Sequence, residues 1–287
     1  MRPDAGLELA VTTDMLVEGR HFLPGADPGA LGHKALAVNL SDLAAMGAAP
    51  RWALLAISLP TVEEAWLEAF SEGFFGLAGR HGVDLVGGDT TRSPLITIAV
   101  TAIGEVPAGL ALFRAGAKPG DDIWVSGELG GAALALVHPE IASAAQRLHR
   151  PEPRVELGER LRGLAHAAID VSDGLAGDLK HILERSGVGA TVSYAQVPRP
   201  ASFRELGNPE LEKDCVLSGG DDYELLFTAA ADRRGDLEGL SRELGIPLAR
   251  IGSITPGAPK LSVLDAGGRP LSYRGGFDHF GEMSAAK

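Results

Sequence analysis

The chain has 287 residues, 45% of them hydrophobic and 22% charged, with a formal net charge of −12. That profile describes a soluble globular protein of one or two domains, and the acidic balance argues against a broad nucleic-acid or anionic-membrane surface, because no basic stripe exists to release counterions. The single cysteine, Cys215, leaves no partner for an internal disulfide or a thiolate zinc site and fits a reducing cytoplasm, while no apolar stretch reaches membrane-spanning length and no signal-peptide pattern opens the chain.

In chain order, LELAVTT reads as a strand that runs into the Asp14 segment. Asp27 then offers a side-chain acceptor to a helix with Pro28 in its first turn, ending near Gly47. RWALLAISLP is a second strand. Thr61 and Glu64 form a capping-box pattern before an amphipathic helix carrying Trp66, Leu67, Phe70, Phe74 and Leu77, which stops by Gly82. VDLV and LITIAVTAIGEV are further strands, and GGDTTRSP between them reads as a loop. A domain junction is expected near Leu112, before the strand DIWVSG. The second half then reads as a helix over LGGAALALV, a proline-rich linker around Arg150 to Pro153, a strand HAAIDV and a helix over SDGLAGDLKHILERSG. Leu175, Leu179, Ile182 and Leu183 give that helix one apolar face. GATVSYAQVP, YELLFTAA, the helix DLEGLSRELG, PLARIGSIT and LSVLDAGGRPLSY complete the alternation.

Five segments set aspartates among glycine, serine or threonine: TTDMLVEGRHF, NLSDLAAMGAAP, LVGGDTT, AIDVSDGL and SGGDDYELLF. They place Asp14, Asp42, Asp89, Asp170, Asp173, Asp221 and Asp222 at the ends of apolar runs with no lysine or arginine beside them. Two carboxylates about 4 Å apart repel by roughly 4 kcal/mol at an effective dielectric of about 20, so converging carboxylates need cations or protons. Mg²⁺ with a polyphosphate suits such a set, because it takes hard oxygen ligands from a few carboxylates, waters and phosphates. Each aspartate alone is equally readable as a turn or cap residue.

Asp42 is the most telling of them. By the helical period it continues a stripe with Leu31, Ala35 and Val38, and it lies near a helix C-terminus where the macrodipole disfavours an anion. Gly87 and Gly88 let backbone amides approach phosphate oxygens while Asp89 holds a metal on the same phosphates. Asp170, Ser172 and Asp173 sit at a strand end and helix start, where capping and anion binding are compatible. His21, Arg114 and Lys118 are candidates for phosphate contacts, each also readable as an ordinary turn or surface residue. No Walker loop, protein-kinase motif set, zinc-protease helix or serine-hydrolase elbow is present.

The segments TTDMLVEGRHF, KALAVNLSDLAAMGA, GGDTT, FRAGAKPGD, DVSDGL and SGGDDYELLF together resemble, in order, the thiamine-monophosphate kinases, a family of the aminoimidazole-ribonucleotide-synthetase-like superfamily. The resemblance implies a two-domain α/β architecture of α+β type. Residues 1–112 would form an N-terminal mixed sheet with helices for ATP and metal binding and dimerisation, and residues 113–287 a C-terminal α/β domain. It implies transfer of the ATP γ-phosphoryl group to thiamine monophosphate, several Mg²⁺ ions, ATP as co-substrate, and a homodimer built through the N-terminal domains. Carried over by position, Thr12, Thr13, Asp14, Asp42, Asp89, Asp170 and Asp173 match metal-site residues, with Asp42, Asp89 and Asp173 central to catalysis. Gly88, Asp89, Arg114 and Ser172 match ATP contacts; His21, Asp221 and Phe277 match substrate contacts.

Three departures accompany the match. The family pattern has glutamate at Asp221 and commonly tyrosine at Phe277, and it carries an upstream helix and a Gly-Asp-Asp segment, so one metal-site aspartate is expected to be missing here. An acceptor that is already a phosphate oxyanion needs no strong base; the difficulty is uniting two polyanions, which explains an aspartate-rich site. The alternatives are another ATP-dependent synthetase of the superfamily, or a nucleotide-binding remnant without turnover.

Overall fold

The computed structural model describes residues 3–273. The first part runs β1 (Leu7–Val17), α1 (Pro28–Ala45), β2 (Ala49–Leu59), α2 (Glu64–His81), β3 (Asp84–Arg92) and β4 (Thr97–Pro107). These strands form one mixed sheet in the order β1-β4-β2-β3, with β4 antiparallel to both neighbours and β3 parallel to β2. Inserting β4 between β1 and β2 leaves those two parallel, which is why helix α1 must cross between them.

The second part contains β5 (Asp122–Ser126), α3 (Gly131–Val137), α4 (Ala142–His149), α5 (Val155–Leu161), β6 (Ala165–Asp170), α6 (Leu175–Ser186) and β7 (Gly189–Ser193). It continues through α7 (Ser202–Leu206), α8 (Pro209–Ser218), β8 (Leu225–Ala229), α9 (Arg234–Leu244), β9 (Leu248–Thr255) and β10 (Leu261–Leu264). Its sheet has the order β10-β7-β9-β5-β8-β6, antiparallel except for the β10/β7 pair. Strands β5 and β8 are buried along their whole length, as expected for central strands covered on both faces. Among the described residues, no helix is long and apolar enough to cross a membrane.

Helix α1 is the element that joins the two sheets. Asp27 caps it, accepting from the Ala30 amide at 2.7 Å, with Pro28 at the first position. It contacts β1 and β4 on one side and β6 and β8 on the other. A single core therefore runs from Leu36, Leu40 and Phe74 through to Leu225 and Phe227. The apolar stripe expected on α1 is replaced by burial around the whole helix, with His33, Lys34, Asn39 and Ser41 all enclosed. Backbone contact with α2 makes this possible: a methyl on Gly73 would fall 1.8 Å from the Gly29 carbonyl oxygen.

Two local expectations need correction. Thr61 does not cap α2; the helix begins one residue after Glu63, and the Thr61 hydroxyl donates to the Glu63 carboxylate instead. GGDTTR is strand rather than loop, because β2 supplies ladder partners that outweigh the local preference of glycine for turns. The proline-rich linker around Arg150 to Pro153 is irregular as expected, and it is flanked by two short helices, α4 and α5, whose partners are α3 and α1.

Candidate active site

The acidic cluster is assembled where β1, α1 and β6 meet. Alternation along β1 turns Thr12 and Asp14 toward α1, in line with the buried Ala10 and Leu16. The Thr12 hydroxyl donates to the Asp42 carboxylate, and the Asp14 amide donates to Asn39 Oδ1 at 3.1 Å. From the same helix, Ser41 donates to Asp170 Oδ2 at 2.7 Å. Thus α1 touches both the β1 and the β6 carboxylates within one turn.

The β6–α6 turn is organised by a residue that the sequence reading passed over. Neither Ser172 nor Asp173 caps α6, whose N-cap is Gly174. Asp178, buried in the first turn, reaches back and accepts from the Ser172 and Asp173 amides, each at 3.0 Å. This brace ties the backbone of Ser172 and Asp173 to the first turn of α6. The signal was present as an aspartate on the inward face of that helix, four residues after Gly174.

The electrostatics show what the cluster lacks. Burial, then the neighbouring Asp42 charge and its hydrogen bond, then Asp173, push Asp14 up to about 7. Burial also raises Asp42, against the pull of Thr12 and of the Arg114 charge. Asp170 lies well above the usual carboxylate range, first through burial and then through Asp42, with Ser41 opposing. Among the described residues, no three metal-ligating side chains form a ready cage. The donor set nevertheless fits Mg²⁺, which accepts a few hard carboxylate oxygens and completes its shell with water and phosphate.

A pH dependence follows. The folded-state value of Asp14 is raised above its ordinary 3.8, so its stabilising contribution is complete below that value and is lost as the pH rises through about 7. A dication held by these carboxylates would bind their deprotonated form. Added Mg²⁺ is therefore expected to raise the unfolding temperature more at about pH 8 than at about pH 5.5. Thermal unfolding with and without Mg²⁺ at both values checks this; equal shifts would show that the cluster is not the cation site.

A cavity of about 430 Å³ opens beside the cluster, and Thr12, Asp42 and Asp170 line it together with Phe113, Arg114 and Arg185. The loop carrying Arg114 is fixed by Ser186, whose hydroxyl accepts from the Gly116 and Ala117 amides, each at 3.2 Å. Arg185 was not singled out in the sequence, where it looks like one more exposed charge in the last turn of α6. Two guanidiniums and two carboxylates lining one cavity suit a polyanion bound through metal ions.

Other sequence candidates lie elsewhere. The Thr13 side chain takes the opposite face of β1, bonding Val100 O at 3.2 Å and Thr101 at 3.0 Å. His21 sits in the turn after β1, its Nδ1 accepting from the Val17 amide at 3.0 Å. Gly88 and Asp89 are on β3, at the far edge of the sheet from β1, three strand spacings or about 14 Å away. Lys118 stands against His166 at 3.4 Å and is not among the cavity walls. Asp222 is a cap, accepting from the Gly130 and Ala132 amides at the start of α3. Asp221, expected to lack a cation, is paired with Lys34 at 2.9 Å. Phe277 lies outside the described residues.

Two mixed sheets joined by a helix that carries acidic ligands define an AIR synthase related architecture. The chain matches the AIR synthase related protein N-terminal domain over residues 1–106 and the C-terminal domain over residues 118–263. It is 45% identical to thiamine-monophosphate kinase of Escherichia coli K12 over 282 residues, covering 95% of this chain and 86% of the relative. Among solved structures, thiamine-monophosphate kinase from Stenotrophomonas maltophilia K279a superposes with a TM-score of 0.88 at 49% identity, covering 94% of this chain and 89% of that one. The structure of AaThiL complexed with AMPPCP and TMP gives 0.84 at 32% identity, over 97% and 89% of the two chains. The chain belongs to the thiamine-monophosphate kinase family.

Proposed function

We propose that this protein transfers the γ-phosphoryl group of ATP to the phosphate of thiamine monophosphate, yielding thiamine diphosphate and ADP in the cytoplasm. The observation that carries the reading is the convergence of Asp14, Asp42 and Asp170, with Asp42 and Asp170 lining a cavity that Arg114 and Arg185 also line. Similarity along nearly the whole chain to thiamine-monophosphate kinases, one solved with AMPPCP and TMP, supports the choice of substrates.

In this reading Asp14, Asp42, Asp170 and Asp173 hold Mg²⁺, with Thr12 orienting Asp42 and Asp178 orienting the turn that carries Asp173. Mg²⁺ held by these residues would supply charge neutralisation between two polyanions during in-line transfer. Arg114 and Arg185 take the nucleotide phosphates, and Ser172 adds a polar contact. The acceptor is already an oxyanion, so the side chains position and neutralise rather than abstract a proton.

A homodimer through the first sheet completes the reading. Leu9, Val11 and Met15 expose one face of β1, with Val11 62% accessible, and an apolar sheet face of that kind is suited to a second copy. Through the register Asp89–Ala56–Ala99–Met15, Asp89 crosses the sheet at the level of that face. Its separation from Asp42 within one chain supports a site to which a second protomer brings Gly88 and Asp89.

The test is substrate choice. Thiamine monophosphate is expected to be phosphorylated with ATP and Mg²⁺, and free thiamine is not, because both the attacking oxygen and the metal anchor belong to the existing phosphate. Chromatography of the products decides it; turnover of free thiamine at an equal rate, or of neither compound, would refute the assignment.

A further inference from the structure

One buried cation remains outside the mechanism. Lys34, in the second turn of α1, is only 4% exposed, and its ammonium lies 2.9 Å from Asp221 Oδ2. The Tyr223 hydroxyl donates to the other oxygen, Oδ1, also at 2.9 Å. Burying a lysine is costly without a partner, and a lysine that only covers apolar surface sends its head to water; this one spans from α1 to a loop of the second part.

That loop is held in an unfavourable backbone. Asp221 has φ of 69° and Tyr223 φ of 52°, left-handed values that residues with a Cβ adopt only when their surroundings require it. It also lies flat on the site. The Asp221 amide donates to Ser172 O at 2.9 Å, and the Tyr223 amide to Val171 O at 2.8 Å. A methyl on Gly220 would stand 2.2 Å from Ser172 O, so the approach is as close as backbone permits. Any shift of residues 220–223 is transmitted to the turn that carries Ser172 and Asp173.

Helix α1 grips this assembly twice. Lys34 and Ser41 are seven residues apart, two turns and about 10 Å along one helical face. Ser41 holds Asp170, while Lys34 holds the loop that continues beside it. Two contacts at that separation fix the rotation of the loop pair about α1, which one contact alone does not.

We propose that Lys34 is a positioning residue for the phosphoryl transfer, acting through Asp221: its ion pair holds the strained 220–223 loop against Val171 and Ser172 and thereby sets the thiamine-phosphate end of the site. This inference rests on the proposed function for its kinetic readout, but not for its structural one.

The experiment compares Lys34→Met, Lys34→Arg, Asp221→Asn and the Lys34→Met, Asp221→Asn double variant in the full chain. Lys34→Met is expected to lower kcat/KM for thiamine monophosphate by about 10–100-fold, with the KM for ATP nearly unchanged, because small misplacements near a reacting centre have effects of that size. Lys34→Arg restores most of the loss. In the Asp221→Asn background, Lys34→Met adds less than about 2-fold, as expected when two residues act through one contact. Hydrogen exchange at the Asp221 and Tyr223 amides accelerates in Lys34→Met while the α1 amides stay protected. Unchanged kinetics and unchanged exchange in Lys34→Met overturn the proposal, as do fully additive effects, or losses for ATP and thiamine monophosphate that simply track a fall in stability. If Lys34→Met does not fold, Asp221→Asn must reproduce the selective defect and the faster exchange, and wild-type behaviour there overturns it. If the wild-type protein does not phosphorylate thiamine monophosphate, the functional reading has failed, and exchange alone decides whether Lys34 holds the loop.

Discussion

Replacing Asp42 by asparagine is expected to lower the rate of ADP formation by about 100-fold or more while leaving the fold intact. The amide keeps the shape of the side chain and can still accept from Thr12, but it loses the charge that, in the proposed function, would hold a cation between β1 and β6. Stability should move the other way. Burial raises the Asp42 carboxyl, and its charge is a leading cause, after burial, of the upward shifts of Asp14 and Asp170. Removing that charge relieves the crowding, so without Mg²⁺ the variant should melt no lower than the parent, in keeping with functional sites that are built against stability. ADP release and thermal unfolding, each measured with and without Mg²⁺, test both halves. Near-normal turnover would remove Asp42 from the metal site, and a collapsed fold would assign it a structural role.

The second large effect belongs to stability and sits just outside the site. Glu224 is 2% exposed and accepts from Arg154 Nε at 2.7 Å and Nη2 at 2.6 Å, with Ser126 donating to it as well. Arg154 precedes α5, so the pair fastens the segment before that helix to the start of β8. Arg154→Met is expected to cost about 3–5 kcal/mol, because it leaves a carboxylate buried with its main partner gone. Adding Glu224→Gln to the same chain should recover part of that loss, since the unpaired charge disappears with it. Urea unfolding gives the comparison directly. A loss below about 1 kcal/mol for Arg154→Met would place the pair with the weak, solvent-screened bridges of the surface.

Much of the architecture was legible because local chemistry and tertiary packing agree. Asp27 followed by Pro28 marks a helix start from sequence, and the structure has it there. The apolar face of α2 needs only its period, and Trp66, Phe70 and Phe74 do stack along it. Asn208 followed by Pro209 is an equally readable start for α8, with the Asn208 side chain accepting from Leu211, yet it was passed over among the proline-rich turns around it. Thr61 and Glu64 show the opposite failure, a motif with the right spacing whose helix begins elsewhere. GGDTTR failed for a different reason: glycine is a poor strand former alone, and only the partner strand β2 makes it one.

What the sequence by itself determined is the inventory: which segments carry aspartates, that their charge needs compensation, and that hard cations and phosphates suit them. Only the tertiary structure decided which of these groups meet. Asp14, Asp42 and Asp170 come together because α1 is wedged between two sheets, whereas Asp89 is left three strands away and Asp222 is turned to cap α3. Lys34, which reads as an ordinary surface charge in HKALAV, becomes the counterion of Asp221 across 187 positions of sequence. The physical reason is that ionic and hydrogen-bond energies depend on separation in space and on burial, and neither is a property of the neighbours that a residue has along the chain.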